Sequence, residues 1–166
     1  MTLNKNQILS SGIWKTPSTF EISVYSEMLD KNIPVQILFN QFKADREISE
    51  FAIRSVNTFI ELNKSHLKWI QQELWKHCLI CLETTSYDFD PTEADGQESE
   101  FEYNKKLFGI KSSEDAFQKS SAKIVAISNE NFWNNVSQFF LEYSTVWDDS
   151  HVLSFSFVDG EPFGVD

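Results

Sequence analysis

Phe139-Phe-Leu-Glu-Tyr-Ser-Thr-Val-Trp147, Asp148-Asp-Ser150 and Leu153-Ser-Phe-Ser-Phe-Val-Asp-Gly160 decide the fold of this chain. Phe139, Leu141, Tyr143, Thr145 and Trp147 occupy alternate positions, the two-residue period of a strand with one buried face. Asp148, Asp149 and Ser150 supply turn residues, and the alternation resumes with Leu153, Phe155 and Phe157. Asp159-Gly160 suits a type I′ turn, whose central residues need positive φ. Pro162-Phe-Gly-Val-Asp166 then closes a C-terminal antiparallel β-meander.

Working back from there, the same period recurs near the other end. Phe20, Ile22 and Val24, then Val35, Ile37 and Phe39, predict an antiparallel hairpin turning at Asp30-Lys-Asn32, with Ser11-Gly-Ile-Trp-Lys-Thr-Pro17 as a leading loop. The period lengthens between the two β regions. Ile48, Phe51, Ala52, Val56, Phe59 and Ile60 mark one face of a helix capped by Asp45. Leu67, Ile70, Leu74, Cys78, Cys81 and Leu82 mark a second helix capped by Ser65, and the pair predicts a helical hairpin. A short helix is expected from Ser112 through Phe117 and a strand over 123–128. No strand–helix–strand alternation is present, so a parallel, doubly wound sheet is not expected. The fold class is α+β: an N-terminal β-hairpin, a central helical hairpin and a C-terminal meander.

The 166 residues fit a single domain spanning 1–166, long enough to bury a core without disulfides or metal. Fifteen Phe and five Trp supply the apolar bulk that excludes global disorder. No run of 18 apolar residues occurs, the opening residues lack a signal peptide's apolar stretch, and Cys78 and Cys81 read as reduced thiols. Together these place the chain in the cytoplasm. The net charge of −11 disfavours nucleic acid and anionic membranes and suits a basic protein partner. Its distribution is uneven. Glu83, Asp88, Asp90, Glu93, Asp95, Glu98, Glu100 and Glu102 lie in one stretch without Lys or Arg, read as a solvated acidic loop at about 84–106.

Three constellations carry chemistry on paper. Trp147-Asp148-Asp149-Ser150-His151 offers a carboxylate beside an imidazole, a pairing that can orient a base or a metal ligand. The same residue types build tight turns, which is how we read it. His66, Glu73, His77 and Cys81 fall on one helical stripe and are all zinc ligand types, but no further His or Cys lies near in sequence to close the site. Cys78-Leu-Ile-Cys81 has the redox spacing at the wrong end of its helix, where the dipole opposes a thiolate. An EF-hand starting at Asp88 fails at Thr92 and Glu93. Nucleophile elbows, phosphate loops and H-E-x-x-H are absent. Neither a cofactor nor a bound metal is expected.

Gly12-Ile-Trp14, the helical hairpin and Trp147-Asp148-Asp149-Ser150-His151 before an apolar strand resemble a group of small bacterial domains of unknown function. The usual ending there is W-D-x-E-H-G; Ser150 and Val152 depart from it. Such domains are similar to immunity proteins of polymorphic toxins, and the resemblance implies a binding role. The function expected is therefore a non-catalytic immunity or antitoxin-type protein that blocks a basic partner. Asp88, Asp90, Glu93 and Asp95 would steer that partner, and Trp69 and Trp75 would anchor it. The alternatives are a small metal-dependent hydrolase using His151 with Asp148 or Asp149, and a structural domain that oligomerises through a sheet edge.

Overall fold

The alternating segments from both ends of the chain join one sheet. A computed structural model describes residues 2–42, 46–90, 99–130 and 136–166. Its elements in order are α1 (Lys5–Ser11), β1 (Ile13–Thr16), β2 (Thr19–Ser26), β3 (Lys31–Leu38), α2 (Glu50–Glu61), α3 (Lys64–Thr84), α4 (Glu100–Phe108) and α5 (Ser113–Gln118). β4 (Ser120–Ser128), β5 (Gln138–Thr145), β6 (Leu153–Val158) and β7 (Glu161–Val165) complete the chain. Neighbouring strands in the sheet follow sequence order from β1 to β7. β1–β2, β2–β3, β5–β6 and β6–β7 pair antiparallel, while β3 and β4 pair parallel, with Val35 opposite Val125 and Ile37 opposite Ile127. The class is α+β, with strands at both ends and helices between.

The chain divides into two compact units, residues 1–67, 122–143 and 153–166 in one and 68–121 with 144–152 in the other. In the first, Phe20, Ile22, Val24, Ile33, Val35, Ile37, Val125, Ile127, Phe139, Leu141, Phe155 and Phe157 are buried. These are the alternating positions, and burying one face of each strand drives the sheet together. Phe59 of α2 meets Phe139 edge-on at a centroid distance of 5.7 Å, and Phe139 stacks on Phe157 at 5.0 Å. α2 starts where Ser49 caps it, its hydroxyl accepting from the Ala52 N–H at 3.1 Å while the Ser49 N–H reaches Asn129 Oδ1 at 2.9 Å. The β6–β7 turn has Asp159 at φ 48° and Gly160 at φ 84°, the type I′ signature.

In the second unit Ile70, Leu74, Cys78 and Leu82 form the buried stripe of α3. α4 is capped by Ser99 and stopped by Gly109 in the left-handed region, φ 62°. Asn104, fully buried, donates to the carbonyls of Leu82 and Thr85 at 2.9 and 3.2 Å, tying the end of α3 to α4. α5 begins with a reciprocal capping box between Ser112 and Asp115.

Several boundaries differ from those read in the sequence. The leading loop contains a strand, β1, preceded by the short helix α1, itself opened by a capping box of Asn4 with Gln7. α3 begins at Lys64: Asn63 Oδ1 takes the Ser65 N–H and hydroxyl, so Asn63 does the capping assigned to Ser65. Asp45 lies outside the described residues, and the observed cap of α2 is Ser49. The stretch at 84–106 is not loop throughout, because α3 runs to Thr84 and α4 begins at Glu100. Ser99 at the cap, acids in the first turn and lysines in the last satisfy the dipole and win that segment for a helix. β5 ends at Thr145, so Trp147 lies just beyond its strand. Among the described residues, no helix is long and apolar enough to cross a membrane.

Candidate functional site

The second unit brings together two of the sequence constellations. His77 and Cys81 are one turn apart on α3, and the segment after β5 lays Trp147 and Asp148 against them. Trp147 is 1% exposed and donates its indole N–H to His77 Nδ1 at 3.1 Å. Tyr87 donates its hydroxyl proton to the Trp147 carbonyl. These bonds fix where Asp148 falls. Cys81 Sγ lies 3.5 Å from His77 Nε2, and Asp148 Oδ2 lies 3.8 Å from that same nitrogen.

The two oxygens of Asp148 divide their work. Oδ1 holds the turn, taking the Ser150 hydroxyl at 3.1 Å and the His151 N–H at 3.2 Å, and lying 2.9 Å from His151 Nδ1. Oδ2 faces His77. The Asp148 carboxyl is half-buried, which opposes ionisation, but its hydrogen bonds from His151 and Ser150 prevail and hold it below the usual range. Burial pushes His77 down; Asp148 opposes this and His151 reinforces it. Burial, then Asp148, raises the Cys81 thiol. In this state His77 is neutral, and because Nδ1 accepts from Trp147 its proton sits on Nε2. Cys78 is buried, and desolvation, with Cys81 adding, pushes its thiol up to about 12, the direction that opposes a thiolate.

The rest of the proposed zinc stripe is occupied elsewhere. His66 Nδ1 accepts the Asn63 N–H at 3.2 Å, and Glu73 pairs with Lys76 at 2.6 Å. Of the four residues on that stripe, His77 and Cys81 join a cluster of ligand types, and Asp148 is its third member. Asp149 and His151 are exposed, and no described contact joins Asp149 to either histidine.

The steering and anchoring residues fall as follows. Asp88 and Asp90 are exposed, Asp88 with a left-handed backbone at φ 59°, while Glu93 and Asp95 lie outside the described residues. Glu102 pairs with Lys105 at 3.1 Å, so part of the acidic stretch is balanced by the chain's own lysine. Trp69 and Trp75 are half-buried.

A second feature, in the first unit, has no counterpart in the sequence reading. A cavity of about 480 Å³ is lined by Leu3, Ser11, Ser23, Val24, Tyr25, Glu27, Ile60 and Glu61. α2 ends at Glu61 and the short α1 at Ser11, and neither has a base in its last turn. A carboxylate at the C-terminal end of a helix stands at the negative pole of the dipole, the place a cation is favoured. Glu27, from the β2–β3 turn, adds a second carboxylate, and among the described residues no Lys or Arg lines the cavity. Apolar walls with two carboxylates fit the aliphatic stem and charged head of a lysine or arginine. Leu3, Glu27 and Glu61 are too far apart in sequence for any periodicity to have grouped them.

No protein-family model, no curated protein and no solved structure matches this chain.

Proposed function

We propose that this chain is a non-catalytic, cytoplasmic protein-binding domain of the immunity type, which holds and blocks a basic protein partner. The observation that carries the reading is the cavity at the ends of α1 and α2. It presents Glu27, Glu61 and a helix C-terminus, with no base lining it among the described residues. A partner's arginine or lysine would bury its stem against Leu3, Val24 and Ile60 and leave its charge between the carboxylates. The net charge of −11 supports the encounter at long range and turns away nucleic acid and anionic membranes. In the second unit, Asp88 and Asp90, with Glu93 and Asp95 of the same stretch, add to the negative charge, and the half-buried Trp69 and Trp75 are the aromatic anchors of this reading. The hydrolase alternative has a carboxylate–imidazole pair in Asp148 Oδ1 and His151 Nδ1, 2.9 Å apart, but the His151 ring is 77% exposed rather than set in a water-excluded site.

Co-expression tests this with the product of the gene adjacent to its own. The proposal expects a basic product that copurifies with this chain and whose toxicity the chain relieves. Glu27→Gln with Glu61→Gln should reduce copurification at least tenfold. Toxicity that persists at full strength beside a well-folded, abundant wild-type chain would overturn the immunity reading.

A further inference from the structure

His77, Cys81 and Asp148 each offer one ligand atom, and these atoms all lie within 4.8 Å of one another. Tetrahedral zinc with one sulfur at roughly 2.3 Å and nitrogen or oxygen ligands at roughly 2.0–2.2 Å separates its ligand atoms by about 3.3–3.6 Å. Cys81 Sγ lies beside the His77 ring, 3.5 Å from Nε2 and 3.7 Å from Nδ1, and His77 Nε2 lies 3.8 Å from Asp148 Oδ2, so the ligand atoms are close enough to share an ion once the thiol or the ring turns to bring Sγ toward the Nε2 lone pair. The set is also chemically mixed in the way a borderline-soft ion prefers: one thiol, one imidazole and one carboxylate oxygen. We propose that His77, Cys81 and Asp148 form a binding site for a zinc-type divalent transition-metal ion, with His151 as a fourth ligand within reach.

The neighbouring groups support that assignment one by one. Asp148 Oδ2 is left to the ion because Oδ1 alone closes the turn. His151 is 77% exposed and lies 2.9 Å from Asp148 Oδ1, which puts a second imidazole beside the cluster. Trp147 is what must yield. Its N–H occupies His77 Nδ1, so coordination at Nε2 requires the imidazole proton to leave Nε2 and Nδ1 to take one up, releasing the indole. Cys81 gives its thiol proton to solvent. The balance is one proton released per ion, and one neutral hydrogen bond exchanged for three coordinate bonds. The released indole gives the site a built-in reporter. Two constellations separated by about seventy residues, each incomplete alone, thereby make one site.

Cobalt(II) is the probe, added to untagged protein stripped with chelator. The expected result is one equivalent bound, with a thiolate-to-cobalt charge-transfer band in the near-ultraviolet and a change in Trp147 emission. Zinc should displace the cobalt and abolish the band. Cys81→Ser should remove the charge-transfer band, His77→Gln should weaken binding more than tenfold, and Cys78→Ser should leave the spectrum unchanged. His151→Gln, at an exposed position, should weaken binding less than His77→Gln. Far-ultraviolet circular dichroism confirms that each variant is folded. Absence of stoichiometric binding to the wild-type chain, or a thiolate band that survives in Cys81→Ser, would overturn the proposal.

Discussion

At Gly12 an added methyl group would have nowhere to go. A Cβ there would come within 2.4 Å of the Phe20 ring and 2.5 Å of Ile22, although the backbone conformation, φ −112°, suits any residue. Crowding alone therefore governs the position. Gly12→Ala should cost about 1–3 kcal/mol by overpacking, read as a lower denaturant midpoint with an unchanged slope. An unshifted midpoint would mean that Phe20 moves aside freely. Single residues also show where sequence reasoning stops. His77 and Cys81 were legible as neighbours because a helix places i and i+4 on one face. Asp148 was not, since only tertiary packing brings Trp147, seventy positions away, onto His77.

Capping sets the limits of the helices more than hydrophobic period does. α5 was legible from Ser112 and its acids, and the structure adds the reciprocal bonds: Ser112 Oγ takes the Asp115 N–H at 3.2 Å, and Asp115 Oδ2 takes the N–H groups of Lys111 and Ser112 at 2.9 and 3.1 Å. Ser112→Ala should lower stability by about 0.5–2 kcal/mol. The Lys111 N–H chiefly holds the Asp115 carboxyl below its ordinary value of 3.8; partial desolvation opposes this, and the Ser112 groups and the Lys111 charge add to the lowering. A depressed folded value stabilises the fold above the unfolded pKa and is lost as pH falls through it. Asp115→Asn should therefore be less stable than wild type at pH near 7, with the gap closing below pH of about 4. Urea midpoints at both pH values check this, and a gap that widens in acid would contradict it. α4 carried the same signals, Ser99 before and Gly109 after, but its acidic composition made it read as loop. β1 was missed because four residues are too few to show an alternation.

For the molecule as a whole, both edges of the sheet argue against association through strands. β1 is four residues long with a register shift between Trp14 and Thr16, and β7 holds Pro162 and a shift opposite Ser156 and Phe157. Short, irregular, proline-bearing edges discourage pairing between copies. Light scattering across a hundredfold concentration range should give the mass of a monomer, and a dimer would revive the oligomer reading. The order of strands and helices was legible because periods of two and 3.6 are local. The continuity of the sheet was not, since the parallel contact of β3 with β4 leaves no mark in either strand.

The most direct test of the binding account is calorimetric titration of the chain with a hexa-arginine peptide, against a hexa-citrulline peptide of the same length. Acidity alone would let any pair of carboxylates serve, so Glu27→Gln with Glu61→Gln is compared with Glu100→Gln with Glu102→Gln, which removes the same charge elsewhere. The account predicts one saturable site for the arginine peptide and none for citrulline. It also predicts at least a tenfold loss in the Glu27 and Glu61 variant and little change in the other. Equal losses in the two variants would contradict it, leaving only diffuse attraction between opposite charges.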